Sequence, residues 1–311
     1  MLKILFMGTP KFSVPILEAL IEKYDVIGVV TQPDKMVGRS NKVSFSPVKE
    51  CAIKHNIKVY QPVKIRDASE ELIALNPDII ITAAYGQIVG TKLLFSPRYK
   101  SINVHGSLLP KYRGGAPIQR ALMNGEKETG ITIMYMAKGM DSGDILAQKS
   151  LLITEDDTTT TLFDKLSLLG RDLLLETLPK LINNEITPIK QNEAEVSFGY
   201  NIDRSEEQID FTKEARLVHC QIRSLLDEPG AYFYFPGFTA ETDRIKVTKA
   251  RVGTEVTNLA PGEIVNVYKK YFVMACGAGS TLEIHGVIPF GKREMDAASF
   301  INGAMRKYIR R

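Results

Sequence analysis

Residues 3–32 read KILFMGTPKFSVPILEALIEKYDVIGVVTQ, and this stretch decides the fold. KILFMG (3–8) is a short apolar run of the kind that forms a buried strand. In SVPILEALIEKY, Val14, Ile16, Leu17, Leu20 and Ile21 recur at roughly helical spacing. DVIGVVTQ (25–32) reads as a second strand. Strand, helix and strand in such close succession form a βαβ unit, which implies a parallel sheet. PDIIITAAY (77–85) and SINVH (101–105) continue the series, and ITIMYM (131–136) and DILAQKSLLI (144–153) add strands near the sheet edge. The first half of the chain is therefore expected to be a Rossmann-like parallel sheet.

The pattern then changes. TTTTLFDKLSLLGRDLLLETLPKLINN predicts a long amphipathic helix from Leu162 to about Leu181, and EITPIKQNEAEVSFGYNI is polar and turn-rich in the manner of a linker. Beyond it GAYFYF, DRIKVTKARV, GEIVNVYKKYFVMAC and STLEIHGVIPF are short, β-rich and punctuated by Gly and Pro, which suggests a small barrel or sandwich. The expected organisation is an α/β domain over 1–185, a linker over 186–204 and a smaller β-rich, OB-like barrel domain over 205–311.

A chain of 311 residues has room for two such domains, and 44% hydrophobic with 24% charged residues is the composition of an ordinary globular protein. The three cysteines, Cys51, Cys220 and Cys276, are widely spaced, so neither a disulfide framework nor a zinc site is suggested and no metal is expected. The opening MLKILFMGTP lacks the length and cleavage site of a signal peptide, and no apolar run approaches the roughly 20 residues that span a bilayer. A cytoplasmic protein without membrane contact is expected. The first strand ends in MGTPKF, without the G-x-G-x-x-G turn that seats a dinucleotide, so NAD and flavin dinucleotides are disfavoured; no G-x-x-x-x-G-K-[ST] is present. The net charge of +4 is mild, but Lys292, Arg293, Arg306, Lys307, Arg310 and Arg311 gather near the end against only Glu294 and Asp296. That end is a solvated tail or a docking face for a polyanion.

NVHGSLLP (103–110) closes a strand of the parallel series, where ligands of open α/β sheets bind. Strand alternation puts Asn103 and His105 on one face, so both side chains address one point. GMDSGDIL supplies a carboxylate, Asp141, on a Gly-rich loop between two strands; an ordinary hairpin turn is the alternative reading. With the imidazole of His105 and the amide of Asn103, that carboxylate completes an acid/base set.

The elements FMGTPKFSVPILEAL, TQPDKMVGRSNKVSFSPVK, AAYGQIV, INVHGSLLPKYRGGAPIQRAL and TGITIMYMAKGMDSGDIL, with IPFGKREMDAASFINGAMR near the end, resemble the methionyl-tRNA formyltransferases of the 10-formyltetrahydrofolate-dependent formyltransferase family, in order and over essentially the whole chain. The resemblance implies a formyltransferase catalytic domain followed by a tRNA-binding β-barrel domain. It also implies Asn103, His105 and Asp141 as the catalytic set, and Ser107, Leu108, Leu109 and Pro110 as the wall of the tetrahydrofolate pocket. In the basic loop, Lys35, Arg39 and Lys42 are implied to engage the acceptor end of the initiator tRNA, as positive groups beside a reacting centre grip phosphates. The implied donor is 10-formyltetrahydrofolate, the implied acceptor methionyl initiator tRNA, and a monomer is expected.

Two features depart from the family pattern. MAKGMDSG places Ala137 and Lys138 where an acidic residue is common, and RSLLDEPGAYFYF lacks the usual Trp; the chain has none at all. Alternative readings are a formyltransferase acting on an amino-sugar nucleotide, a 10-formyltetrahydrofolate hydrolase, or an RNA-binding protein with a degenerate enzyme domain.

Overall fold

A computed structural model describes residues 1–37 and 42–309, which form two compact units. The first comprises Met1–Ile118, Glu128–Leu152 and Leu162–Tyr200; the second comprises Gln119–Lys127, Ile153–Thr161 and the residues from Asn201 on. Along the chain the first unit contributes β1 (Lys3–Gly8), α1 (Val14–Lys23), β2 (Asp25–Val30), β3 (Lys35–Val37), β4 (Lys42–Ser44), α2 (Pro47–Lys54) and β5 (Val59–Tyr60). There follow α3 (Ser69–Ala74), β6 (Ile79–Ala83), α4 (Thr91–Leu94) and β7 (Ser101–His105). After α5 (Pro117–Met123) come β8 (Glu128–Tyr135), β9 (Ile145–Leu152) and α6 (Thr159–Ile182).

The seven-stranded sheet has the order β5-β2-β1-β6-β7-β8-β9. Strands β5 through β7 run parallel, while β8 and β9 add to the edge antiparallel. The βαβ expectation from residues 3–32 is met by β1, α1 and β2. Every residue of β1 after Lys3 and every residue of β6 is buried, as befits parallel strands covered on both faces. Helix α6 buries Leu162, Leu166, Leu173, Leu174, Leu178 and Leu181, at steps of one, three, four and seven residues that keep one stripe of a helix inward. The SPVK element starts α2: Ser46 Oγ caps the Lys49 N–H at 3.1 Å and Pro47 occupies the first turn.

Two local features were not expected from the sequence. The basic loop after β2 contains a two-stranded hairpin, with Lys35 opposite Ser44 and Val37 opposite Lys42; strands of three residues are too short to show a period of two. The stretch read as a linker is divided: residues up to Tyr200 belong to the first unit, and Asn201 begins the last segment of the second.

The second unit adds α7 (Ala215–Leu225), β10 (Tyr232–Phe233), β11 (Ile245–Val252), β12 (Ile264–Val267), β13 (Phe272–Ala275), β14 (Thr281–Pro289), β15 (Met295–Asp296) and α8 (Ala297–Asn302). Its antiparallel sheet has the order β10-β11-β14-β13-β12, with β15 on β14. Without a tryptophan, this core is built by Phe211, Phe233, Phe235, Phe272 and Phe300 through edge-on, tilted and stacked ring contacts. Residues 153–161 join this unit through Arg223, whose buried guanidinium donates to the carbonyls of Thr154 and Asp157 at 2.9 and 2.7 Å.

Candidate active site

The carboxyl end of β7 carries Asn103 and His105, between β6 on one side and β8 on the other. Asn103 lies opposite Thr82 of β6, the one hydroxyl in the apolar run IIITA. Thr82 Oγ1 donates to Asn103 Oδ1 at 2.8 Å, so the amide oxygen is occupied and the amide NH2 is the part left to donate. His105 is 5% exposed. Its Nε2 lies 3.0 Å from the carbonyl oxygen of Tyr112, and because a carbonyl only accepts, Nε2 carries a hydrogen. The ring nitrogen not engaged by that carbonyl is Nδ1, which faces Asp141 Oδ2 at 3.7 Å.

Asp141 sits in the loop between β8 and β9, half-buried, with Oδ2 accepting the Gly114 N–H at 2.9 Å. Two residues of this constellation hold left-handed backbone without being glycine, Tyr112 at φ 60° and Asp141 at φ 45°. Such a conformation costs free energy, most for a bulky residue such as Tyr, and persists where surrounding contacts enforce it. At both positions the enforced geometry serves His105: one supplies the carbonyl on Nε2, the other the carboxylate facing Nδ1. Gly143, two residues beyond Asp141, admits no side chain, since a Cβ there would lie 1.8 Å from the carbonyl oxygen of Tyr135.

The first unit's last segment runs alongside this site. Arg113 N–H donates to the Ser197 carbonyl at 2.9 Å, Gly199 N–H to the Arg113 carbonyl at 2.7 Å, and the Arg113 guanidinium pairs with both carboxylate oxygens of Glu193. That pairing holds the Glu193 carboxyl below the usual carboxylate range.

Residues 107–110 follow His105 directly. Ser107 Oγ donates to the Lys111 carbonyl at 2.6 Å, Thr132 Oγ1 donates to the Ser107 carbonyl at 2.6 Å, and Leu109 N–H donates to Thr132 Oγ1 at 3.1 Å. Gln148 Nε2 donates to the Leu109 carbonyl at 2.7 Å. Leu109 is buried in a small cluster with Met134 and Ile145, whereas Leu108 and Pro110 are half-buried.

Of the three basic residues expected to meet tRNA, Lys35 is exposed on β3, Lys42 opens β4, and Arg39 lies outside the described residues. A fourth cation in that stretch, Lys49, pairs with Asp34 at 2.6 Å. Hydrogen bonds from Lys49 and then Gln61 keep the Asp34 carboxyl below its ordinary range. Among the described residues one trio could approach a metal, Glu18, Cys51 and His55, on and just beyond α1 and α2. Burial, with Glu18 beside it, pushes the Cys51 thiol up to about 11, so that group is a protonated thiol at neutral pH rather than a ready ligand.

The model of the formyl transferase family matches residues 2–178, and that of the formyl transferase C-terminal domain matches residues 201–305. A methionyl-tRNA formyltransferase of Pediococcus pentosaceus is 50% identical over 307 residues, covering 97% of this chain and 94% of that protein. One from Limosilactobacillus fermentum is 52% identical over 307 residues, covering 97% and 96%. The chain belongs to the methionyl-tRNA formyltransferase family. The fold is shared more widely: an N-formyltransferase from Helicobacter canadensis, solved with folinic acid and dTDP-3-aminofucose, superposes with a TM-score of 0.70 at 24% identity, covering 91% of this chain and 99% of that one.

In this family member, sequence reasoning missed the groups that hold Asn103, His105 and Asp141. Thr82 had a visible signal, a lone hydroxyl inside a buried strand. Tyr112 and Gly114 act through backbone atoms, whose direction depends on φ rather than on residue type.

Proposed function

We propose that the chain transfers the formyl group of 10-formyltetrahydrofolate to the free amino group of methionyl initiator tRNA, giving the N-formylated initiator used to begin translation, in the cytoplasm. The observation that carries the reading is His105 held at Nε2 by the Tyr112 carbonyl with Nδ1 toward Asp141, in a chain half identical over nearly its whole length to methionyl-tRNA formyltransferases.

The reaction needs four things from the protein. The Asn103 NH2, with its oxygen tied to Thr82, donates to the oxygen of the attacked formyl carbonyl, and a preorganised donor of this kind is worth about 10²–10³ in rate. Asp141 takes the proton that the attacking amine must lose. His105 exchanges a proton through Nδ1, the nitrogen that faces Asp141, so that the folate nitrogen leaves protonated. Left-handed backbone at Tyr112 and Asp141 fixes these groups before substrate arrives, which lowers the reorganisation the reaction must undergo.

Residues 107–110 fit the donor. Their backbone is tied down by Thr132 and Gln148 beside His105, and the half-buried Leu108 and Pro110 offer apolar atoms for a flat pterin. Lys35, Arg39 and Lys42 supply the positive charge that meets acceptor-end phosphates, while Lys49, matched to Asp34, does not. The second unit serves as the tRNA-binding domain, and the protein acts as a monomer.

The test is formyl transfer from 10-formyltetrahydrofolate to methionyl initiator tRNA, beside methionyl elongator tRNA and a reaction without tRNA. Selective formylation of the initiator is expected. Folate cleavage independent of tRNA, or transfer to an amino-sugar nucleotide instead, would overturn the reading.

A further inference from the structure

One amide outside the expected catalytic set touches both loops that hold it. Gln191 lies between the stretches matched by the two family models and is 9% exposed. Its Nε2 donates to the carbonyl of Asp141 at 2.8 Å and to that of Gly143 at 2.8 Å, and its Oε1 accepts from Arg113 Nε at 3.0 Å. Both amide hydrogens and the amide oxygen are thus engaged. Arg113 is 5% exposed and anchored by Glu193. It stands between Tyr112, whose carbonyl accepts from His105, and Gly114, whose N–H donates to Asp141. The histidine-holding loop and the carboxylate-holding loop therefore meet in a single side chain.

We propose that Gln191 is a positioning residue of the formyl-transfer site, setting the separation of His105 and Asp141 by tying the Asp141–Gly143 peptides to Arg113. The proposal rests on the reading of His105 and Asp141 as the proton-transfer pair. The Asp141 loop needs such a tie: it carries left-handed backbone at Asp141 and a backbone contact at Gly143 too close for any side chain. Gln191 donates to the carbonyl of each of these two residues. Nothing about Gln191 makes it a carrier of protons or a contact for substrate; its effect runs through Asp141.

Gln191→Glu is nearly isosteric. It keeps an acceptor for Arg113 and turns two donated bonds into oxygen facing oxygen. Gln191→Met, which removes the bonds without repulsion, stands in should the Glu variant fold poorly. Each is made alone and together with Asp141→Asn, and kcat, the KM for methionyl-tRNA and the melting temperature are measured. The expected result is a kcat at least tenfold lower for the Gln191 variants, with the KM for tRNA within twofold of wild type. In the Asp141→Asn background the same change should cost less than threefold, because a residue that acts through another has nothing left to position. Full Gln191 effects multiplying with Asp141→Asn, or a lowered melting temperature with kcat intact, would overturn the inference and leave the catalytic reading standing. An Asp141→Asn enzyme with wild-type turnover would overturn the catalytic reading and, with it, this inference.

Discussion

Replacing Asp141 by Asn separates the chemistry of this site from its architecture. The backbone at Asp141 has φ 45°, a region that Asp and Asn tolerate better than other side chains. An Asn Oδ1 accepts the Gly114 N–H as the Asp141 carboxylate does at 2.9 Å. What disappears is the charge and the ability to receive a proton. A positioned acid or base contributes about 10²–10⁴ in rate, which at about 1.36 kcal/mol per decade is roughly 2.7–5.5 kcal/mol of barrier. The Asn variant should therefore lose about 10²- to 10⁴-fold in kcat while its melting temperature stays within about 2 °C of wild type. Asp141→Ala adds two structural costs: an unmatched Gly114 N–H, about 1 kcal/mol, and left-handed backbone without a polar side chain, about 1 kcal/mol more. At roughly 2–4 °C per kcal/mol for a unit of this size, that is a fall of about 4–8 °C. Single-turnover formylation of methionyl-tRNA at saturating donor gives the rate, and circular dichroism gives the melting temperature. Turnover of the Asn variant within threefold of wild type would refute the assignment of Asp141; equal melting temperatures for the Asn and Ala variants would refute the claim that its backbone and hydrogen bond hold the loop.

Three further outcomes are expected. Lys35→Ala should raise the KM for methionyl-tRNA and flatten the slope of log affinity against log salt by about one, leaving tRNA-independent folate cleavage unchanged; an unchanged salt slope measured by filter binding would remove Lys35 from the interface. Gly143→Ala must displace the Tyr135 carbonyl, which stands 1.8 Å from where the Cβ would be, so both melting temperature and kcat should fall; an active variant of wild-type stability would show that the loop can shift. Burial pushes the Cys276 thiol up to about 12 from an ordinary value near 9. The folded state thus holds the Cys276 proton more tightly than the unfolded state does. Stability from that thiol is complete below about pH 9 and declines by about 1.4 kcal/mol per pH unit above it. Urea midpoints between pH 8 and pH 11 should therefore fall less steeply in Cys276→Ala than in wild type, and parallel curves would contradict the burial effect.

What the sequence disclosed and what it withheld divide along a physical line. The sheet was legible in residues 3–32 because buried parallel strands must be apolar and a crossover helix must show a period near 3.6, both properties of side chains. Asn103 and His105 were legible for the same reason, since alternation along one strand places them together without knowledge of any other segment. Hairpin β3–β4 was not, its strands being three residues each. The stretch holding Gln191 and Glu193 read as a linker because polar residues in a turn-rich segment carry no period, although Gln191 is buried to the same degree as Val26, Leu146 and Ala250. Burial of a glutamine is affordable only when its amide is fully bonded, and the partners of Gln191 are a guanidinium and two backbone carbonyls that lie 78, 50 and 48 positions away. Such a bond leaves no trace in local composition. Asn103, His105 and Asp141 are therefore written in the sequence as residue types at a spacing, whereas the distance between His105 and Asp141, on which the proposed proton transfer depends, runs through backbone atoms of Tyr112, Gly114, Asp141 and Gly143 and the amide of Gln191, and becomes visible only once the chain is folded.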